Sequence, residues 1–225
     1  MGQAIGDFLP SAVGVAISPL PIIAVVLMLV TPRGRLNGPL FVLGWAVGLG
    51  ILGAVVLAVA AGAGATDNAK PATWVDVVFL LLGLLLILVA AKQWRGRPHG
   101  GETPPTPKWM GALENFGPAK AGGAGVALSA LNPKNLLLTV AGAAAIAETG
   151  IPAGQQAGAY AVFVVIASLG VATPVVIFFA LGDRSTQVLD GLKTWLAMHN
   201  NAIMAVLMLV IGVKLIGNAI SGFST

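Results

Sequence analysis

The feature that most constrains this chain is a succession of long apolar runs with almost no charge inside them. Marking runs of about 20 residues, ended by Lys, Arg, Pro or Gly clusters, places six of them near 8–30, 39–63, 74–92, 121–147, 155–181 and 201–221. Of the 225 residues, 57% are hydrophobic and 9% charged, and the mean hydropathy is +0.92. A soluble domain carries roughly 25% charged residues, so these runs have no water-facing surface to sit beneath. They also lack the alternating, turn-punctuated pattern of a β-barrel. Backbone polar groups in lipid must bond within their own segment, which leaves helices. The expected fold is an all-α membrane protein with six transmembrane helices.

Several function classes drop out early. There is no cysteine, which removes thiol chemistry, thiolate metal sites and disulfides. His99 and His199 fall in expected loops and receive no role. No phosphate-binding loop and no nucleophile–base constellation occurs, so the chain reads as no enzyme and needs no cofactor. No Asp or Glu lies deep in an apolar run, since Asp76 and Glu148 stand at ends. That disfavours a divalent-cation exporter, and no metal site is expected. The formal charge of +4 is carried by loops and is read as orientation, with no nucleic-acid partner. The early Asp7 and the prolines Pro19 and Pro21 argue against a cleaved signal peptide, so the first run is expected to be a retained helix.

The runs divide into halves. Residues 93–120 form a polar, basic linker, expected to be cytoplasmic, between a first three-helix repeat at 1–92 and a second at 121–225. Trp109, Leu113 and Phe116 form a short amphipathic pattern within it. A longer amphipathic stretch, 183–200, repeats Val188, Leu189, Leu192, Trp195 and Leu196 at helical spacing and is expected to lie in the membrane interface. With the N-terminus outside, Arg33, Arg35, Lys92, Arg95, Arg97, Lys108, Lys120, Arg184 and Lys193 are cytoplasmic and only Lys70 is external. Under the positive-inside rule both termini are then outside.

Gly14-Val15-Ala16-Ile17-Ser18-Pro19-Leu20 matches Gly125-Val126-Ala127-Leu128-Ser129-Ala130-Leu131 at five of seven positions, a shift of 111 residues. Each copy lies in the first helix of its half and is followed by a proline, Pro21 or Pro133. Halves with an odd number of helices cross in opposite senses. The fold expected is two inverted three-helix repeats with broken first helices, which places a binding site where the breaks meet.

The most informative segment is Asn132-Pro133-Lys134-Asn135. Proline suits the first position of a helix and asparagine the cap before it, so a half-helix starts at Pro133. Lys134 stands about 13 residues from either end of its run, roughly 20 Å at helical rise and beyond the reach of a snorkelling side chain. A lysine there costs about 2.5–3.5 kcal/mol on insertion scales, and so needs a cavity, a partner or a substrate. A half-helix N-terminus with an ammonium makes an anion site. Ser18, Pro19 and Pro21 form the facing break, and Ser129 is the repeat mate of Ser18. Ser18, Pro19, Pro21, Ser129, Asn132, Pro133, Lys134 and Asn135 are therefore the candidate substrate-binding residues. Lys214, close to a helix end, is read as interfacial, Thr173-Pro174 as a kink, and Gly44 and Gly48 as close-packing positions.

These residues carry a resemblance. The two halves and the Asn132-Pro133-Lys134 break resemble the LysE exporter superfamily. More narrowly, the chain is similar to the GAP family, the glycolipid- or sulfolipid-addressing proteins of actinobacterial membranes. The similar stretches are Ser18-Pro19-Leu20-Pro21-Ile22-Ile23, Leu29-Val30-Thr31-Pro32-Arg33-Gly34-Arg35, Phe41-Val42-Leu43-Gly44-Trp45, Pro107-Lys108-Trp109-Met110, Leu131-Asn132-Pro133-Lys134-Asn135-Leu136-Leu137-Leu138 and His199-Asn200-Asn201-Ala202-Ile203-Met204. The first break departs from LysE-type amino-acid exporters, with Pro19-Leu20-Pro21 where Pro-Gly-Pro is usual. The resemblance implies export of an anionic or amphiphilic glycolipid or lipopeptide from a bacterial cytoplasmic membrane toward the cell surface, among membrane lipids and as an accessory to a larger lipid exporter. Two alternatives stand beside it, a proton-coupled exporter of an amino acid or small metabolite and a non-transporting scaffold of a lipid-synthesis complex. A homo-oligomer is compatible with each.

Overall fold

The computed structural model describes residues 1–62, 73–97, 108–113 and 115–223. The expected external Lys70 and most of the 93–120 linker, 98–107 and 114, lie outside them, as do the side chains of Lys108 and Trp109. The described residues are helical with no strand. The helices are α1 Gly2–Ala16, α2 Pro19–Leu29, α3 Gly34–Gly62, α4 Thr73–Arg95, α5 Lys108–Leu113, α6 Pro118–Ala130, α7 Pro133–Glu148, α8 Ala153–Leu181 and α9 Ser185–Phe223. These apolar helices make it a membrane protein. By length and composition, α3 and the continuous 71-residue stretch Ala153–Phe223 can cross a bilayer. The α1–α2 pair, bent by 47° at its break, passes the same test when taken as one span.

Proline sets the helix starts. Pro19, Pro118 and Pro133 each occupy the first turn of α2, α6 and α7, where a missing N–H costs nothing. Ser18 precedes Pro19 and Asn132 precedes Pro133, both extended cap residues. By cap position, Ser18 therefore corresponds to Asn132, a shift of 114 residues. The sequence match ran at 111, nearly one helical turn out of register with the breaks.

The last helix differs from expectation. The amphipathic stretch 183–200 is no separate interfacial element, because from Ser185 it runs unbroken into the last apolar segment as one 39-residue helix. Leu189 and Leu196 are buried while Val188 and Trp195 are exposed. At roughly 1.5 Å per residue such a helix is about 58 Å long, close to twice the ~30 Å hydrocarbon core. Its buried face packs against α2, α4 and α8.

Close approaches hold the bundle together. A Cβ on Gly44 of α3 would strike the carbonyl of Gly122, and one on Gly125 of α6 would strike the carbonyl of Phe41. A Cβ on Gly48 would collide with the Ser129 hydroxyl. Gly83 of α4 and Gly212 of α9 each face the other's backbone. The expected close-packing role of Gly44 and Gly48 is thus a backbone contact between α3 and α6. Gly44→Leu is expected to destabilise the protein by about 2–3 kcal/mol through overpacking, read as a lowered melting temperature in detergent. Gly50, with open space around it, should tolerate the same change.

Candidate functional site at the paired helix breaks

The two breaks meet. α1 packs against α7, and α2 lies beside α6, so Ser18 comes within reach of residues more than 110 positions away. The Lys134 ammonium donates to Ser18 Oγ at 3.3 Å, and that hydroxyl donates to Asn135 Oδ1 at 3.2 Å. Asn135 Nδ2 donates in turn to the carbonyl of Leu128 at 3.0 Å. A backbone carbonyl can only accept, so this last bond fixes the amide with its oxygen toward Ser18. The Ser18 hydroxyl makes no cap bond to α2. It is spent on the opposite half of the chain.

Burial is nearly complete. Lys134 is 5% exposed, Ser18 2% and Asn135 0%. Pro19 and Pro21 are buried as well. Asn132 caps α7 by accepting from the Lys134 backbone N–H at 3.1 Å. Pro133 has no N–H, and Leu136 N already bonds the Asn132 carbonyl. At most the Asn135 N–H then remains open in the first turn, so the cationic character of the break rests on the ammonium more than on a cradle of amides. Ser129 stands apart from this cluster. Its hydroxyl donates to the Val126 carbonyl at 3.0 Å, on its own helix, and faces Gly48.

The ammonium is under-satisfied. Lysine has three N–H donors, and among the described residues Lys134 makes one side-chain hydrogen bond and no ion pair. Five buried side-chain polar atoms lack partners among the described residues, and Thr139 Oγ1 on α7 and Trp45 Nε1 on α3 are two of them. Thr139 lies four residues beyond Asn135, hence on the same helix face. Neither was singled out in the sequence, where a threonine and a tryptophan in apolar runs look like packing residues.

α8 reaches the first break from the other side. Gly170 sits against the carbonyl of Ala16, the last residue of α1, where any side chain would collide. Pro174, one turn further along, is buried within α8, which runs through it as a single helix.

A sequence profile described as SfLAP, "Sap, sulfolipid-1-addressing protein", matches residues 8–221. The chain belongs to this family. The match runs from within α1 to near the end of α9, so the Ser18, Lys134 and Asn135 positions lie inside the matched range. No curated protein and no solved structure matches the chain.

The sequence did not announce a second polar place in the fold. An open cleft of about 360 Å³ lies where α1 and α4 begin and α7 and α9 end, lined by Asp7, Asp76, Glu148 and Lys214 among others. Lys214 does not snorkel freely, because its ammonium donates to the backbone carbonyl of Asp7. The one sequence signal for this cleft was that each of these charges is nearly alone at the end of an apolar run.

Proposed function

We propose that the protein holds the anionic headgroup of an amphiphilic glycolipid or lipopeptide at its paired helix breaks and aids transfer of that molecule toward the cell surface. The observation that carries this reading is a lysine only 5% exposed, whose ammonium makes a single side-chain hydrogen bond and has no carboxylate partner among the described residues. A hydrogen bond to a charged group is worth about 1.5–3 kcal/mol, against a larger penalty for burying an unpaired ion. A sulfate, phosphate or carboxylate at Lys134 would supply the missing partner. The family's printed description, addressing of a sulfolipid, agrees with such a ligand.

The architecture behind this reading is LysE-like, with six spans in two inverted repeats, α1–α2, α3 and α4 against α6–α7, α8 and α9. Helices α6 and α7, of 13 and 16 residues, form one broken span matching α1–α2. The packing is what exchanging the halves would produce, since α1 rests on α8 as α6 does on α3, α2 on α3 as α7 does on α8, and α4 on α9. Basic residues gathered on one set of loops put both termini outside a cytoplasmic membrane. The chain performs no covalent chemistry in this account and works beside a larger lipid exporter.

Deleting the gene is expected to deplete surface-extractable anionic lipid and leave amino-acid export unchanged. An unchanged lipid profile with an altered pattern of exported metabolites would overturn the proposal in favour of a solute exporter. Restoration of the lipid by the Lys134→Ala variant would remove the anion site from it.

A further inference from the structure

A set of unpaired polar groups gathers where α3 and α6 begin, two helices packed along each other. α6 opens on Gly117, which supplies no side-chain cap, followed by Pro118. Proline has no N–H, and Ala121 N bonds the Gly117 carbonyl. The Ala119 and Lys120 N–H groups are therefore left open among the described residues, and both residues are exposed. Arg33 brings a guanidinium to the same place, since a Cβ on Gly117 would lie 3.7 Å from its Nη1. Neither Arg33 nor Lys120 has an ion pair among the described residues. A cation at the positive end of a helix is repelled by it, so the arrangement lacks an anion.

Asn37 shows what kind of anion. It is 0% exposed and stands one turn beyond Arg33 on α3, where its backbone N–H bonds the Arg33 carbonyl at 2.9 Å. Its Nδ2 donates to the carbonyl of Phe116 at 2.9 Å, the residue just before the α6 cap. A carbonyl can only accept, so the amide cannot be turned over. Asn37 Oδ1 is left beside the start of α6 as a buried acceptor without a partner among the described residues. A fully ionised oxyanion would be repelled by that oxygen. One that keeps a proton would donate it.

We propose that the start of α6, with Arg33 and Asn37, binds a phosphate group that keeps a P–OH, either the free hydrogenphosphate ion or the headgroup of a phosphatidic acid. The phosphoryl oxygens accept from the open N–H groups and from Arg33, a pairing that helix N-termini and guanidinium groups favour. The P–OH donates to Asn37 Oδ1. Sulfate has the same shape but no proton at neutral pH, and a phosphodiester lipid has no P–OH either. A site with a buried acceptor rejects a ligand that leaves it unpaired. Exposed Val30 and Leu36 beside Arg33 offer apolar surface to acyl chains where the source is a lipid. The 13 residues of α6 put roughly 20 Å between this place and the Asn132 break, so the site is separate from Lys134. Occupied, it joins α3 of the first half to α6 of the second.

The test uses the full chain purified in phosphate-free detergent buffer and melted in rising sodium phosphate or sodium sulfate at matched ionic strength and neutral pH. Phosphate is expected to stabilise it saturably, at concentrations at least about tenfold below those that sulfate needs. Arg33→Gln, at an exposed position, should lose that preference, while Lys134→Met keeps it. Asn37→Ala should bring sulfate level with phosphate. Where Asn37→Ala fails to fold, the comparison of the two ions on the wild type still tests the acceptor. Mixed micelles of phosphatidic acid against phosphatidylglycerol read the second source, and a preference for phosphatidic acid without a response to the free ion assigns the site to the lipid. Equal responses within both pairs, or a preference that survives Arg33→Gln, would overturn the proposal.

Discussion

Lys134→Met is expected to reduce transfer of anionic lipid at least about tenfold while leaving the protein inserted, folded and as stable as the wild type or more so. Methionine keeps most of the volume of the lysine stem and removes the charge. Replacing a buried, poorly compensated ion by an apolar group of similar size is neutral or stabilising in measured cases. The loss of function follows from the removed interaction with the headgroup, since a charge-assisted bond of about 1.5–3 kcal/mol corresponds to roughly 10- to 100-fold. Surface-extractable lipid measured beside a melting curve reads both effects at once. A stability collapse would identify Lys134 as a structural strut, and unimpaired transfer would deprive it of a ligand.

Asn135→Leu is expected to behave in the opposite way, lowering stability by about 2–4 kcal/mol. Asn135 is fully buried and joins both breaks, accepting from Ser18 and donating to the Leu128 carbonyl. Leucine leaves that carbonyl and the Ser18 hydroxyl without their partner, at about 1–3 kcal/mol for each buried group. The Ser18 hydroxyl keeps Lys134 as a donor, so the carbonyl should dominate. A large fall in melting temperature checks this, and a fall within about 0.5 kcal/mol would mean that water replaces the amide. The contrast between the two variants separates the residue that holds the breaks together from the one that faces the ligand.

The breaks were legible in the sequence because proline acts locally. Pro133 lacks an N–H and cannot continue α6, and Asn132 before it is a good cap, so Asn-Pro-Lys in an apolar run predicts a new helix start without tertiary information. Lys134 was legible for a similar reason, since its distance from both ends of its run exceeds its reach. The register between the halves was less accessible. Gly-Val-Ala repeats match easily among small apolar residues, and they drew Ser129 into the site as the mate of Ser18. In the fold Asn132 occupies that place, and Ser129 turns back to its own helix.

Other features depend on packing that no local pattern reveals. Asp76 looks terminal in sequence, yet the approach of Gly222 on a helix almost 150 residues away buries its carboxylate. Lys214 appeared free to snorkel until α1 brought the Asp7 carbonyl to it. The amphipathic stretch after Arg184 carried an interfacial pattern, but with no proline or glycine pair to stop it, α9 continues through. The hydroxyl of Thr139 and the indole N–H of Trp45 became visible only as buried atoms without partners among the described residues.

The central claim is that the paired breaks form an anion site for a lipid headgroup. It is tested most directly by native mass spectrometry of the detergent-purified chain, offered an anionic and a zwitterionic lipid with the same acyl chains. The account predicts that the wild type retains the anionic lipid in preference, and that Lys134→Met loses the preference while still binding both weakly through its apolar surface. Equal retention of the two lipids by the wild type, or an unchanged preference in Lys134→Met, would contradict it.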